Sequence, residues 1–96
     1  MYARVTEFDG FGERLDEYLE RVDELVLPPL REAAGYSGYL SLVDREAGRV
    51  VVVSLWRTQE QMRASLPLVH QLREHAATHV GAEAEWVREF EVAFSE

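Results

Sequence analysis

The run Arg49-Val50-Val51-Val52-Val53-Ser54-Leu55-Trp56 narrows the possible folds more than any other segment of this chain. Its β-branched and aromatic residues favour an extended backbone. In a strand, Val50, Val52 and Trp56 face one way and Val51, Val53 and Leu55 the other, so both sides are apolar. A sheet with one face in water alternates apolar and polar residues instead. This strand therefore needs two covers, and the surrounding segments decide what they are.

Residues Met1–Phe8 alternate, with Tyr2, Arg4, Thr6 and Phe8 on one side, and predict a first strand. After the Asp9-Gly10-Phe11-Gly12 turn, the spacing of Leu15, Tyr18, Leu19, Val22, Leu25 and Val26 predicts an amphipathic helix, which Pro28-Pro29 should end. Leu30–Ala34 can add a turn before Gly35. Tyr36–Asp44 and Arg49–Trp56 flank the turn Arg45-Glu46-Ala47-Gly48 and predict a hairpin. Thr58 and Gln61 have capping-box spacing. Pro67 divides this second helical region into a short helix to about Ala64 and another from about Pro67 to His79, with Ser65 as a cap and Gly81 as a stop. Trp86–Phe94 predicts a last strand. The order βαββαβ gives a ferredoxin-like α+β sandwich, a four-stranded antiparallel sheet with both helices on one face. Two helices cannot reach the far face, so a second copy packed sheet against sheet is the expected cover, and a homodimer is predicted.

Ninety-six residues suit one domain spanning 1–96. The absence of cysteine excludes disulfides, thiolate metal sites and cysteine catalysis. Eighteen acidic residues against ten basic ones give a net charge of −8, which opposes binding to nucleic acid and to anionic lipid. No apolar run approaches the roughly 20 residues of a membrane span, and Met1 leads directly into a strand pattern, so a cytoplasmic location is expected.

The stretch Leu27-Pro28-Pro29-Leu30 through Gly35-Tyr36-Ser37-Gly38-Tyr39-Leu40 resembles the link between first helix and second strand in dimeric α+β-barrel proteins. It is most similar to their antibiotic-biosynthesis-monooxygenase-like branch. Val43–Arg49, Ser54-Leu55-Trp56 and Met62-Arg63-Ala64-Ser65 extend the resemblance over most of the chain. The resemblance implies a dimer of packed sheets and a small-molecule pocket between sheet and helices. It also implies chemistry of the kind run by cofactor-free oxygenases, which convert phenolic or anthrone-type molecules to quinones; no cofactor is expected. The haem-degrading branch of these proteins uses an Asn in the first strand and a Trp on the second helix. This chain has no Asn and offers Ser65 and Leu66 near that Trp position, so it departs from that pattern.

Candidate residues emerge from helical projection. His75 and His79 have metal-ligand spacing but point away from Leu66, Val69, Ala76 and Val80, towards solvent, and lack a convincing third ligand. Arg73 projects onto the apolar face with His70 at its edge. His70 as base and Arg73 as phenolate partner would form a catalytic pair; equally, Arg73 can reach the surface or pair with a Glu, with His70 half exposed. Tyr18, Trp56 and Arg4 are the expected substrate-binding residues, Tyr18 because a buried hydroxyl needs a partner and Arg4 because a charge inside a strand needs an anion or an opening. Gly10 and Gly12 lack the third glycine of a dinucleotide loop. The competing function is a non-catalytic ligand-binding or assembly module.

Overall fold

The computed structural model describes residues 1–78 and 83–96, with the backbone alone at positions 73, 75–78 and 83–85. The strands are β1 (Tyr2–Asp9), β2 (Tyr36–Asp44), β3 (Arg49–Trp56) and β4 (Glu83–Glu91), and the helices α1 (Leu15–Arg21), α2 (Leu27–Arg31), α3 (Gln59–Ala64) and α4 (Leu66–Thr78). The four strands form one antiparallel sheet in the order β2-β3-β1-β4. This is the ferredoxin-like α+β fold that the βαββαβ pattern predicts. Gly81 and His79 lie outside the described residues, so the expected helix stop does too.

Register fixes what each face carries. Tyr2, Arg4, Thr6 and Phe8 of β1 stand opposite Trp56, Ser54, Val52 and Val50 of β3. Phe8, Val50, Val52 and Trp56 form the core with Phe11, Leu15, Tyr18, Val22, Val26, Leu30 and Met62 from the helical side. Phe8, Phe11 and Tyr18 pack ring to ring, with centroids 4.5–6.4 Å apart. The other face carries Ala3 and Val5 beside Leu55 and Val53, flanked by Leu40 and Leu42 of β2 and by Trp86 and Phe90 of β4. Leu40 and Leu42 are each 52% exposed and Phe90 49%. Among the described residues no helix covers this apolar face.

The first helical region differs from the expectation at its prolines. Pro28 and Pro29 do not end the helix; they occupy the first turn of α2, after a five-residue π-helical stretch, Val22–Val26. Proline is tolerated in a first helical turn because its missing N–H has no required partner there. The wider turn ahead of it opens room for the rings while keeping Val22, Val26 and Leu30 all buried. At the second helical region Thr58 caps α3, its hydroxyl accepting from the Gln61 amide at 3.1 Å. Pro67 again falls in a first turn, that of α4. The Ser65 hydroxyl turns back to donate to the Met62 carbonyl at 2.6 Å.

β4 begins and ends three residues earlier than its apolar pattern suggests. Its pairing partner β1 starts at Tyr2, which faces Glu91, and one more bond, from Val92 N–H to the Met1 carbonyl, exhausts the ladder. Phe94 is left beyond the strand, 95% exposed. A bulge between Glu7 and Phe8 shifts the register at the other end.

Candidate functional site

The site lies between the sheet and the helices, and β1 supplies its charged residue. Arg4 points to the helical side because its neighbours Tyr2, Thr6 and Phe8 share that face, and it is only 1% exposed. Its Nη2 donates to the Met62 carbonyl at the end of α3, and its Nη1 donates to Ser65 Oγ at 3.3 Å. The guanidinium carbon stands 5.9 Å from the Trp56 ring centroid, within cation–π range. Glu89 is the neighbour of Arg4 across β4, and its carboxylate meets Arg63 at 3.4 Å.

A cavity of about 30 Å³ opens beside this head group, with Phe8, Val26, Leu30, Val52, Val69 and Leu72 as apolar wall. Thr6, Ser54, Tyr18 and Tyr39 add hydroxyls to the lining. Ser54 Oγ accepts from Trp56 Nε1 at 2.9 Å, so the Ser54 hydroxyl keeps its own proton to donate. Tyr39 is hydrogen-bonded to Ser41 and Tyr18; burial pushes its phenol above the ordinary tyrosine range, against the smaller downward pull of those bonds. Among the described residues the arrangement is one cation and a set of neutral hydroxyls in an apolar chamber.

The residues expected from sequence divide into two groups. Arg4 and Tyr18 come together on the cavity, and Trp56, fully buried, supports Arg4 and Ser54 from below. His70 lies on the outer side of α4, with its side chain 58% exposed and Nε2 3.2 Å from Glu74 Oε1. The turn of the helix explains this: Val69 and Leu72 face the cavity, and a residue one step on from Val69 is rotated by about 100°. Arg73 belongs to α4, and its side chain, like those of His75 and His79, lies outside the described residues. Among the described residues no group of three or more His, Cys, Asp or Glu could hold a metal ion, and no helix is long and apolar enough to cross a membrane.

Thr6, Ser54, Ser65 and the Met62 carbonyl were not among the site residues expected from sequence. Ser54 carried a signal, being the lone hydroxyl in the apolar run of β3. The Met62 carbonyl carried none. On the far side of Ser65 a second, open cleft of about 190 Å³ is lined by Ala33, Ala34, Gln61, Ala64, Ser65 and Leu68. Gln61 Oε1 is buried there without a hydrogen-bond partner.

The family model for antibiotic biosynthesis monooxygenase matches residues 1–79. The chain belongs to the antibiotic biosynthesis monooxygenase family. Two uncharacterised Mycobacterium tuberculosis proteins, Rv2558 and Rv2557, are 37% and 36% identical to it over 93 residues, 97% of this chain. The chain spans 39% and 41% of the length of these curated relatives. Among solved structures, the cofactor-independent oxygenase SnoaB of Streptomyces nogalater superposes with a TM-score of 0.68 at 15% identity, covering 98% of this chain and 94% of that one. The monooxygenase ActVA-Orf6 of Streptomyces coelicolor, bound to nanaomycin D, gives 0.72 at 16%, covering 99% and 91%. A dimeric ferredoxin-like protein from an uncultured marine organism gives 0.77 at 17%, covering 100% and 98%. At these identities the structural likeness is one of fold. The Arg4 cavity of this antibiotic biosynthesis monooxygenase family member occupies the space between sheet and helices.

Proposed function

We propose that the chain is a cofactor-independent monooxygenase-like enzyme acting on a small aromatic or polyketide-type molecule in the Arg4 cavity. The observation that carries this is the placement of a buried guanidinium and several hydroxyls on the wall of an otherwise apolar chamber, the composition that ligand sites share. Family membership supports the oxidative chemistry. For an anthrone-type substrate the balanced reaction is the replacement of a ring CH2 by C=O, with O2 supplying the carbonyl oxygen and the other oxygen leaving as water. Arg4 would stabilise the anion formed when the substrate loses a proton, with Tyr18 and Trp56 shaping the site. Arg73, one residue from Leu72, is proposed as a second cation for that anion. For His70 to take the proton, α4 must rotate so that the imidazole leaves Glu74.

Free space of about 30 Å³ holds about two waters, far less than the roughly 300 Å³ of a typical ligand pocket. Substrate binding in this proposal therefore requires α4 to lift, with Val69 and Leu72 withdrawn. The same small volume favours the second reading, a non-catalytic ligand-binding or assembly module. Oxygen uptake with an electron-rich hydroquinone or anthrone, in the absence of flavin and metal, decides between them: uptake above the uncatalysed rate supports the enzyme, and none supports the module.

We propose further that the chain is a homodimer through its open sheet face. Leu40 and Leu42 beside Val53 and Val51, with Phe90 beside Ala3, are each about half exposed and form the kind of apolar surface that monomers rarely leave in water.

A further inference from the structure

We infer that Ser54 is the specificity-determining residue of the cavity: its hydroxyl donates to a carbonyl oxygen of the ligand, so the site selects a neutral aryl ketone over isosteres that offer no acceptor. This rests on the cavity being a small-molecule site and adds the group by which the molecule is recognised.

The direction of one hydrogen bond decides the role of Ser54. The residue is 4% exposed, and its Oγ lies 2.9 Å from Trp56 Nε1. An indole N–H can only donate, so Oγ is the acceptor in this bond and the serine proton points elsewhere. Among the described residues no oxygen receives that proton. The other polar groups of the wall are engaged. Arg4 is held by the Met62 carbonyl and Ser65 Oγ, Thr6 and Tyr18 have partners of their own, and Tyr39 is hydrogen-bonded to Ser41 and Tyr18. A buried donor without an acceptor is costly, and an oxygen supplied by a ligand removes the cost.

Position gives the chemical class. Ser54 stands between Arg4 of β1 and Tyr39 of β2 on the sheet floor of the cavity, opposite an apolar roof of Val26, Leu30, Val69 and Leu72 from the helices. The free space of about 30 Å³ is room for about two waters, or for a carbonyl group in their place. A molecule that sets an oxygen on the floor and keeps its ring against the roof matches this polarity. One that presents a C–H or N–H to the floor leaves Ser54 without an acceptor. The ring takes the space that Val69 and Leu72 give up when α4 lifts.

Acetophenone and α-methylstyrene have nearly the same shape, with C=O in one where the other has C=CH2. Both are titrated into the wild-type protein by calorimetry, each affinity being referred to the compound's own partition from water to cyclohexane. On that scale acetophenone should bind at least about fivefold tighter, the lower end of the cost of leaving a buried donor unsatisfied. The infrared carbonyl stretch of bound acetophenone should fall below its value in cyclohexane, the signature of an accepted hydrogen bond. Ser54→Cys, which keeps the shape but donates weakly, should reverse most of that fall, and Ser54→Ala should abolish both the fall and the preference. Equal corrected affinities, no binding of acetophenone, or an unshifted stretch overturns the inference from the wild type alone, whatever the folding of the variants. A stretch that stays shifted in folded Ser54→Cys or Ser54→Ala assigns the donor to another group and overturns it as well. Oxygen uptake is a separate readout: ketone selectivity without uptake in any substrate sustains the role of Ser54 and removes the oxygenase, whereas uptake without selectivity does the reverse.

Discussion

Arg4 Nη1 donates to Ser65 Oγ at 3.3 Å across 61 positions of the chain, tying the first strand to the junction between α3 and α4. Ser65 passes the link on to the Met62 carbonyl at 2.6 Å, so one hydroxyl both positions the buried cation and closes the end of α3. Ser65→Ala should therefore destabilise the protein by about 1–3 kcal/mol, the cost of leaving a buried donor without its acceptor. Urea unfolding measures it, and a loss within error of zero would show that water or another oxygen replaces Ser65.

Met62 is fully buried under the same junction. Met62→Ala removes its contacts with the core and leaves a cavity, at an expected cost of about 2–5 kcal/mol. The capping contact nearby is smaller: Thr58→Ala, which removes the acceptor for the Gln61 amide, should cost about 1 kcal/mol. Reversal of that ranking in equilibrium unfolding would contradict the packing described for Met62.

Gly48 adopts φ +67°, and a Cβ there would lie 2.9 Å from the Gly12 backbone nitrogen. Gly48→Ala thus meets both an unfavourable conformation and a backbone that cannot step aside. A loss of at least about 1–2 kcal/mol is expected, together with weakening of the bond from Phe11 N–H to the Gly48 carbonyl. Faster hydrogen exchange at Phe11 is the local readout, and unchanged exchange would place the strain elsewhere.

Burial raises the Tyr39 phenol above its ordinary value. For a group whose folded value exceeds the unfolded one, the stabilisation is complete below the unfolded value, about pH 10 for tyrosine, and is lost as pH rises through the folded value. Alkaline denaturation should accordingly include a contribution from Tyr39, and Tyr39→Phe should flatten the decline above about pH 10. An equally steep decline in the variant would assign it to other groups.

Light scattering tests the open face. The wild type should show twice the monomer mass, and Leu42→Glu, at a position 52% exposed on that face, should shift it to the monomer by burying a charge in the interface. A dimer unaffected by the substitution would move the interface off the sheet.

The element order was legible because it depends on local periodicity, whereas the sheet face that Arg4 occupies was not. The alternation in β1 placed Arg4 with Tyr2, Thr6 and Phe8, and the doubly apolar β3 implied a second cover, because successive side chains in a strand point to opposite faces whatever lies around them. The prolines misled because a wide helical turn can absorb them, and nothing within Pro28-Pro29 reports the turn that precedes it. β4 was displaced because a strand ends where its partner ends, and β1 stops pairing at Tyr2.

The chain's own pattern thus determined a ferredoxin-like sandwich with a charged residue in its first strand, and the tertiary structure decided that this charge faces the helices. Tertiary structure alone decided what that charge meets. Met62 and Ser65 stand 58 and 61 positions from Arg4, brought to it by a helix break that periodicity locates but cannot aim. The same packing turned Val69 and Leu72 onto the cavity and His70 to solvent, and it set the free volume beside the guanidinium. Side-chain spacing in one segment carries no information about the distance between two segments, and the chemistry of this site lies in those distances.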